Sequence, residues 1–217
     1  MASARTVIFD LDGTLVDSAP GIITAFREVL AAHQIEPRVP LDNSLIGPPL
    51  AETMARLTGV TNTAELATLA EAFKAAYDGT GVSATPAYPG INELLAELQQ
   101  RQMTLHVATN KRIAPTLAIL ERLGWTKHFS SVYALDLYQP RLADKAVLLT
   151  HLLAEQALTT ASCIYIGDKH EDGAAADQNG IAFVAATWGY GDFALTACAA
   201  HWQSASSPKH LLELLVG

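Results

Sequence analysis

From residue 91 onward the sequence alternates short β-branched or aromatic runs with longer amphipathic stretches. Such alternation restricts a chain to a parallel sheet covered by helices on both faces. Ile91 to Arg101 reads as a helix, MTLHVAT as a strand, and Ile113 to Leu123 as a helix closed by Gly124. SVYAL is a short strand, Asp144 caps a helix through Leu158, and SCIYIG is a strand. The stretch around Asp172 to Gln178 is helical, IAFVAAT is a strand, and Ser207-Pro208 opens a last helix. One further strand, TVIFDLD, stands alone near the N-terminus.

Residues 17 to 80 between that first strand and the alternating region read as wholly helical. Ser18 is placed to cap a helix with Pro20 in its first turn, and Ile22, Phe26, Val29 and Leu30 share a face. Pro48-Pro49 opens a second helix carrying Leu50, Met54 and Leu57, ended by Gly59. Thr63 starts a third, with Leu66, Leu69, Phe73 and Tyr77 facing together before Asp78-Gly79 stops it. The expected fold is therefore α/β: a Rossmann-like parallel sheet core, residues 1–16 and 82–217, with a helical domain, residues 17–81, inserted after the first strand.

Composition removes several function classes. Lys+Arg 14 against Asp+Glu 22 gives a formal charge of −8, which disfavours general binding to nucleic acid or to an anionic membrane. Half of the residues are hydrophobic, ample for a packed core. Cys163 and Cys198 show no paired spacing and read as buried free thiols of a reducing compartment. The start, MASARTVIFDLDG, lacks the pattern of a signal peptide, and no stretch approaches a membrane span, so a cytoplasmic protein is expected.

Ligands of parallel α/β sheets bind beyond the carboxyl ends of the strands. Asp10 and Asp12 close the first strand in FDLDGTLVDS, Thr109 and Asn110 close MTLHVAT, and Gly167-Asp168 closes SCIYIG, with Asp172 one helical turn on. Lys145 starts the helix between SVYAL and SCIYIG. Carboxylates meeting on one rim repel, and a hard divalent cation such as Mg2+ relieves that repulsion. An ionised aspartate attacks phosphorus once the anionic repulsion is cancelled, work suited to a metal and a lysine. Asp12, two residues along the strand, points to the same face as Asp10, where it can protonate a leaving oxygen and then activate water.

In order, FDLDGTLVDS, the Thr109 strand end, Lys145 and GDKHED resemble the four motifs of the haloacid dehalogenase-like (HAD) hydrolase superfamily. The helical insertion resembles that superfamily's small alpha-helical cap. IGPPL, TNK at Thr109 to Lys111, and GYG near the end resemble its phosphoglycolate phosphatase branch. The resemblance implies Asp10 as nucleophile and metal ligand, and Asp12 as acid/base with its backbone carbonyl on Mg2+. It implies Thr109 and the Asn110 amide on the phosphoryl oxygens, Lys145 neutralising nucleophile and phosphate, Asp168 completing the metal site, and Asp172 supporting the metal shell through water. Gly13 would supply the turn that lets the cap move, and Ile46, Gly47, Pro48 and Pro49 would form a cap loop touching the leaving group.

Many relatives carry the third-motif lysine in a Lys-Pro pair, whereas this chain reads YQPRLADKAVLL, with Gln139 at that place. A later lysine at a helix start is a variant that Lys145 fits, with Arg141 as runner-up. The implied activity is Mg2+-dependent hydrolysis of a small phosphate monoester, phosphoglycolate foremost, through an aspartyl-phosphate. The implied assembly is a monomer or homodimer. A β-phosphoglucomutase-type mutase, a pyrophosphatase and a non-catalytic phosphate-binding regulator are the alternatives. Asp12 argues against dehalogenase and phosphonoacetaldehyde hydrolase chemistry. His170 reads as an exposed helix-start residue, and Trp188 and Tyr190 as core or loop anchors.

Overall fold

The computed structural model describes residues 6–46, 49–191, 193 and 199–216. The chain divides into two compact units, one made of Met1–Asp17 with Ala87–Gly217 and the other of Ser18–Pro86.

The first unit is an α/β layer structure. Strand β1 (Thr6–Phe9) is buried at all four positions, as a β-branched and aromatic run in mid-sheet must be. It pairs in parallel with β2 (Thr104–Thr109) on one side and β4 (Cys163–Gly167) on the other. Strand β3 (Ser131–Ala134) lies outside β2, while β5 (Ala182–Ala186) and β6 (Gln203–Ala205) extend the sheet beyond β4. The order β3-β2-β1-β4-β5-β6 is parallel throughout. Strand β6 has no counterpart in the sequence pattern. Its Gln203 and Ser204 are exposed and Ala205 alone is buried, so a three-residue edge strand leaves no hydrophobic alternation to read.

Helices α4 (Ile91–Gln100), α5 (Ile113–Arg122), α6 (Lys145–Glu155), α7 (His170–Gln178) and α8 (Pro208–Val216) belong to the same unit. Helix α4 shows how each is specified: Ile91, Leu94, Leu95 and Leu98 are its buried residues and form a single stripe. Asp144 caps α6 by accepting from the Val147 amide at 2.9 Å. That helix ends at Glu155 rather than Leu158, and the chain turns through Ala157 in a left-handed conformation. The strand order reverses at β1, between β1 and β4, which opens a crevice at their carboxyl ends.

The second unit contains α1 (Ala19–Ala32), α2 (Leu50–Thr58) and α3 (Thr63–Ala76). Phe26, Val29, Leu45, Met54, Leu57 and Leu69 form its buried core, and Phe26 packs on Phe73 at 4.3 Å between ring centroids. Two expectations are corrected here. Ser18 precedes α1 but makes no side-chain cap bond; its hydroxyl is buried without a hydrogen-bond partner among the described residues. Asp78-Gly79 does not stop α3, which continues into a π-helical turn, Tyr77–Gly81. The wider turn is held by the Val82 amide donating to the Tyr77 carbonyl at 2.9 Å and by the Tyr77 and Thr85 hydroxyls 3.2 Å apart.

Of the expected cap loop, Ile46 is buried and Pro49 is exposed and precedes α2, while Gly47 and Pro48 lie outside the described residues. Cys163 is free and buried in β4, and Cys198 also lies outside the described residues. No helix among the described residues is long and apolar enough to cross a membrane.

Candidate active site

Asp10 follows β1 directly, and its amide donates to the Ile166 carbonyl of β4 at 2.8 Å, carrying the ladder one residue further. Its side chain thereby sits at the reversal of strand order. The next residues fold tightly back: the Leu15 and Val16 amides both donate to the Leu11 carbonyl, at 2.9 and 3.1 Å. Gly13 takes φ +84° inside this turn, and a Cβ there would overlap the Asp168 carboxylate. Glycine is therefore required twice over, for backbone sign and for close approach.

Asp10, Asp168 and Asp172 are all buried and bring carboxylate oxygens within 4.8 Å of one another. Asp168 follows β4, and its Oδ2 accepts from the Tyr190 amide at 2.8 Å. Asp172 lies in the first turn of α7, where its Oδ2 accepts from the Lys169 amide at 2.9 Å. A Cβ on Gly167 would strike the Asp172 side chain, so that glycine lets the carboxyl settle over the strand end. Lys145, first residue of α6, buries its ammonium between two of the three acids. Its Nζ is 2.5 Å from Asp172 Oδ1 and 3.0 Å from Asp10 Oδ1, the latter off hydrogen-bond alignment. Arg141, the alternative third-motif cation, and Gln139 are both exposed.

Three carboxylates and one ammonium leave two negative formal charges in a buried space. Each carboxylate pair at such separations repels by roughly 3–4 kcal/mol at an effective dielectric of about 20. The titration behaviour follows. Burial, reinforced by Asp172 and Asp12, pushes Asp10 up to about 6 against the opposing pull of Lys145. Burial, then Asp10 and Asp172, raises Asp168 to about 7. For Lys145 burial pulls downward, yet the charges of Asp10 and Asp172 outweigh it and hold the ammonium well above its ordinary range. Asp168 Oδ1 has no hydrogen-bond partner among the described residues, and Asp10 Oδ1 meets the Lys145 ammonium at 3.0 Å. An unsatisfied hard oxygen and two uncompensated formal charges fit a divalent cation such as Mg2+, which would be held by Asp10, Asp168 and Asp172.

Asp12 is placed differently. Its carboxylate is absent from that cluster and receives Lys111 Nζ on both oxygens, at 3.1 and 3.2 Å. Thr109, at the end of β2, is buried, and its Oγ1 accepts from the Lys111 amide at 3.2 Å, which leaves the hydroxyl hydrogen to point elsewhere. Asn110 is exposed, and its side-chain amide donates to Glu171 Oε1 at 3.1 Å.

The sequence pattern singles out no role for Lys111, which appears there only within the TNK run; a lysine immediately after a strand-end Thr-Asn is the available signal. Trp188 and Tyr190 are loop anchors, as expected: Tyr190 Oη donates to Asp17 Oδ1 at 2.6 Å and Trp188 Nε1 to the Thr14 carbonyl at 3.0 Å. Both aromatic residues thus anchor their loop onto the segment that follows β1. His170 is exposed at the start of α7, 4.8 Å from the Trp202 ring.

Residues 7–186 match the haloacid dehalogenase-like hydrolase family. The chain belongs to that family. Among HAD relatives, the tyrosine-protein kinase PtkA of Mycobacterium tuberculosis is 36% identical over 192 residues, 87% of this chain. The chain spans 64% of that protein's length. A solved PtkA structure superposes with a TM-score of 0.79 at 31% identity, covering 100% of both chains. A 5'-nucleotidase of Pseudomonas aeruginosa is 32% identical over 186 residues, 85% of this chain and 83% of its own length. A phosphoglycolate phosphatase of Rhodospirillum rubrum is 32% identical over 199 residues, 86% and 80% of the two chains. The HAD core explains why four distant segments of sequence converge on one strand-end crevice.

Proposed function

We propose that the protein is a Mg2+-dependent phosphatase that hydrolyses a small phosphate monoester through an aspartyl-phosphate on Asp10. The observation that carries this reading is Asp10 itself. It is a buried carboxylate at the sheet's switch point, with Lys145 Nζ 3.0 Å away and two further acids beside it. An Asp10 oxygen attacks phosphorus and the bond to the leaving oxygen breaks, while Asp12 gives that oxygen a proton. Water then attacks the phosphoaspartate, its proton passes to Asp12, and Asp10 is released. Thr109 and the Asn110 amide hold the phosphoryl oxygens, and Lys145 offsets charge on nucleophile and phosphate. Asp10, Asp168 and Asp172, with the Asp12 carbonyl, would hold the cation, which would supply Lewis-acid neutralisation of phosphoryl charge.

The relatives support phosphate-ester substrates of modest size, a phosphoglycolate and a nucleoside monophosphate among them. By the same resemblance the helical unit acts as a cap and selects the leaving group, with Ile46 and Pro49 in its specificity loop. Similarity to PtkA favours a second reading, transfer of the terminal phosphoryl group of a labelled nucleoside triphosphate to a tyrosine hydroxyl, with the diphosphate leaving and the hydroxyl proton passing to Asp12. The test is phosphate release from a panel of phosphate monoesters, with and without Mg2+, by wild type and Asp10→Asn. Metal-dependent release lost in the variant supports the proposal. No release, together with labelled phosphate appearing on tyrosine, would favour the second reading instead.

A further inference from the structure

Two lysines of the site pair with different carboxylates. Lys145 meets Asp10 and Asp172, while Lys111 contacts both oxygens of Asp12, 99 positions earlier in the chain. We propose that Lys111 is the positioning residue of Asp12, fixing its carboxyl group for proton transfer to the leaving oxygen and from the attacking water. This role rests on the phosphatase reading.

The pair is not an incidental surface contact. The Lys111 side chain is 7% exposed and that of Asp12 22% exposed. Ordering a lysine side chain costs about 1.5–2 kcal/mol of rotamer freedom, and lysines are seldom this buried unless paired. The backbone is fixed as well, because the Lys111 amide is tied to Thr109 Oγ1 at the end of β2. The ammonium therefore reaches Asp12 from a rigid anchor.

Contact with both oxygens ties the carboxyl group as a whole, and not one of its oxygens, to the ammonium. An acid/base group needs that, because it must meet first a leaving oxygen and then a water. Misplacement by about 1 Å in such a step can cost about 10²-fold in rate. Asp12 needs the support because the turn it opens is built around Gly13, and the Asp10, Asp168 and Asp172 cluster does not include its side chain.

The experiment is kcat/KM for a series of aryl and alkyl phosphates of rising leaving-group basicity, measured for wild type, Lys111→Met, Asp12→Asn and the double variant. This quantity reports the steps through departure of the leaving group. Methionine keeps the apolar stem and removes the charge. 4-Nitrophenolate departs without a proton, whereas an alkoxide needs one. Lys111→Met should therefore lose less than about 3-fold with 4-nitrophenyl phosphate and about 10–100-fold with an alkyl phosphate, a share of the 10²–10⁴ that general acid catalysis supplies.

In the Asp12→Asn background the same substitution should cost nothing more, as expected of residues acting as one unit. An equal loss across the series would overturn the role, since it would report substrate binding or general damage. Full additivity with Asp12→Asn would overturn it also. Wild type that releases phosphate from no ester would overturn the phosphatase reading and this role together, which separates the two failures.

Discussion

The helical unit and the strand-end crevice solve opposite problems. In the helical unit the buried core is apolar: Phe26, Met54, Leu57 and Leu69 interlock, and Asn62 caps α3 by accepting from the Ala64 and Glu65 amides. At the crevice, three acids and one lysine are buried together, Asp168 Oδ1 lacks a hydrogen bond among the described residues, and Asp10 and Asp168 are driven up to about 6 and about 7 by burial. One region is arranged for stability. The other holds like charges at close range, an arrangement that costs folding free energy and makes sense as a place to receive a cation and a phosphate.

The largest expected effect lies at Asp10. Asp10→Asn should lower turnover by at least about 10⁴-fold, the scale on which loss of a nucleophile is felt. It should not lower the thermal midpoint, because it removes one of the crowded charges. A fall in the midpoint with activity retained would reverse the contrast between the regions.

Lys145→Ala comes next. Removing it leaves Asp10 and Asp172 buried without their ammonium, and breaking a buried pair costs about 3–5 kcal/mol. Turnover should fall by about 10²–10³-fold through lost charge stabilisation. Arg141→Ala, at an exposed position, should change neither. Activity lost in the Arg141 variant and kept in the Lys145 variant would move the third motif.

Phe26→Ala tests the helical side of the comparison. Phe26 is 2% exposed, and truncating a buried phenylalanine costs about 3–5 kcal/mol. Chemical denaturation should show that loss, or an early separate transition if the two units unfold independently. A loss under about 1 kcal/mol would mean that this core is not what holds the helices together.

Much of this contrast is legible in the sequence, for identifiable reasons. Burial on both faces makes strands such as TVIF stand out as unbroken apolar runs, and the carboxylates fall at strand ends whose position the runs define. Helix faces bearing Phe26, Leu57 and Leu69 repeat at helical spacing, so local periodicity identifies them. What escaped depends on tertiary proximity or weak local signal. The pairing of Lys111 with Asp12 joins residues on different strand ends. The Tyr190 contact with Asp17 crosses most of the chain. Strand β6 is polar and short. Asp78-Gly79 is a strong turn signal locally, but the Tyr77 and Thr85 hydroxyl contact and the Val82 amide carry the helix past it.

The smallest effect is also the one that separates the two regions most cleanly. A ligand that binds only the folded state stabilises it by RT ln(1 + [L]/Kd), about 2.7 kcal/mol at 100 times Kd. Mg2+ should therefore raise the unfolding midpoint of the wild type. Asp168→Asn should abolish that increment, because it removes a buried charged oxygen from the proposed cation site while its amide oxygen can still accept from the Tyr190 amide. Without Mg2+, Asp168→Asn should be no less stable than wild type, since the carboxylate it replaces is one the fold resists ionising. Phe26→Ala should retain the Mg2+ increment on whichever transition unfolds the sheet. An increment that survives in Asp168→Asn would place the ion elsewhere and leave the crowded carboxylates without the partner their charge calls for.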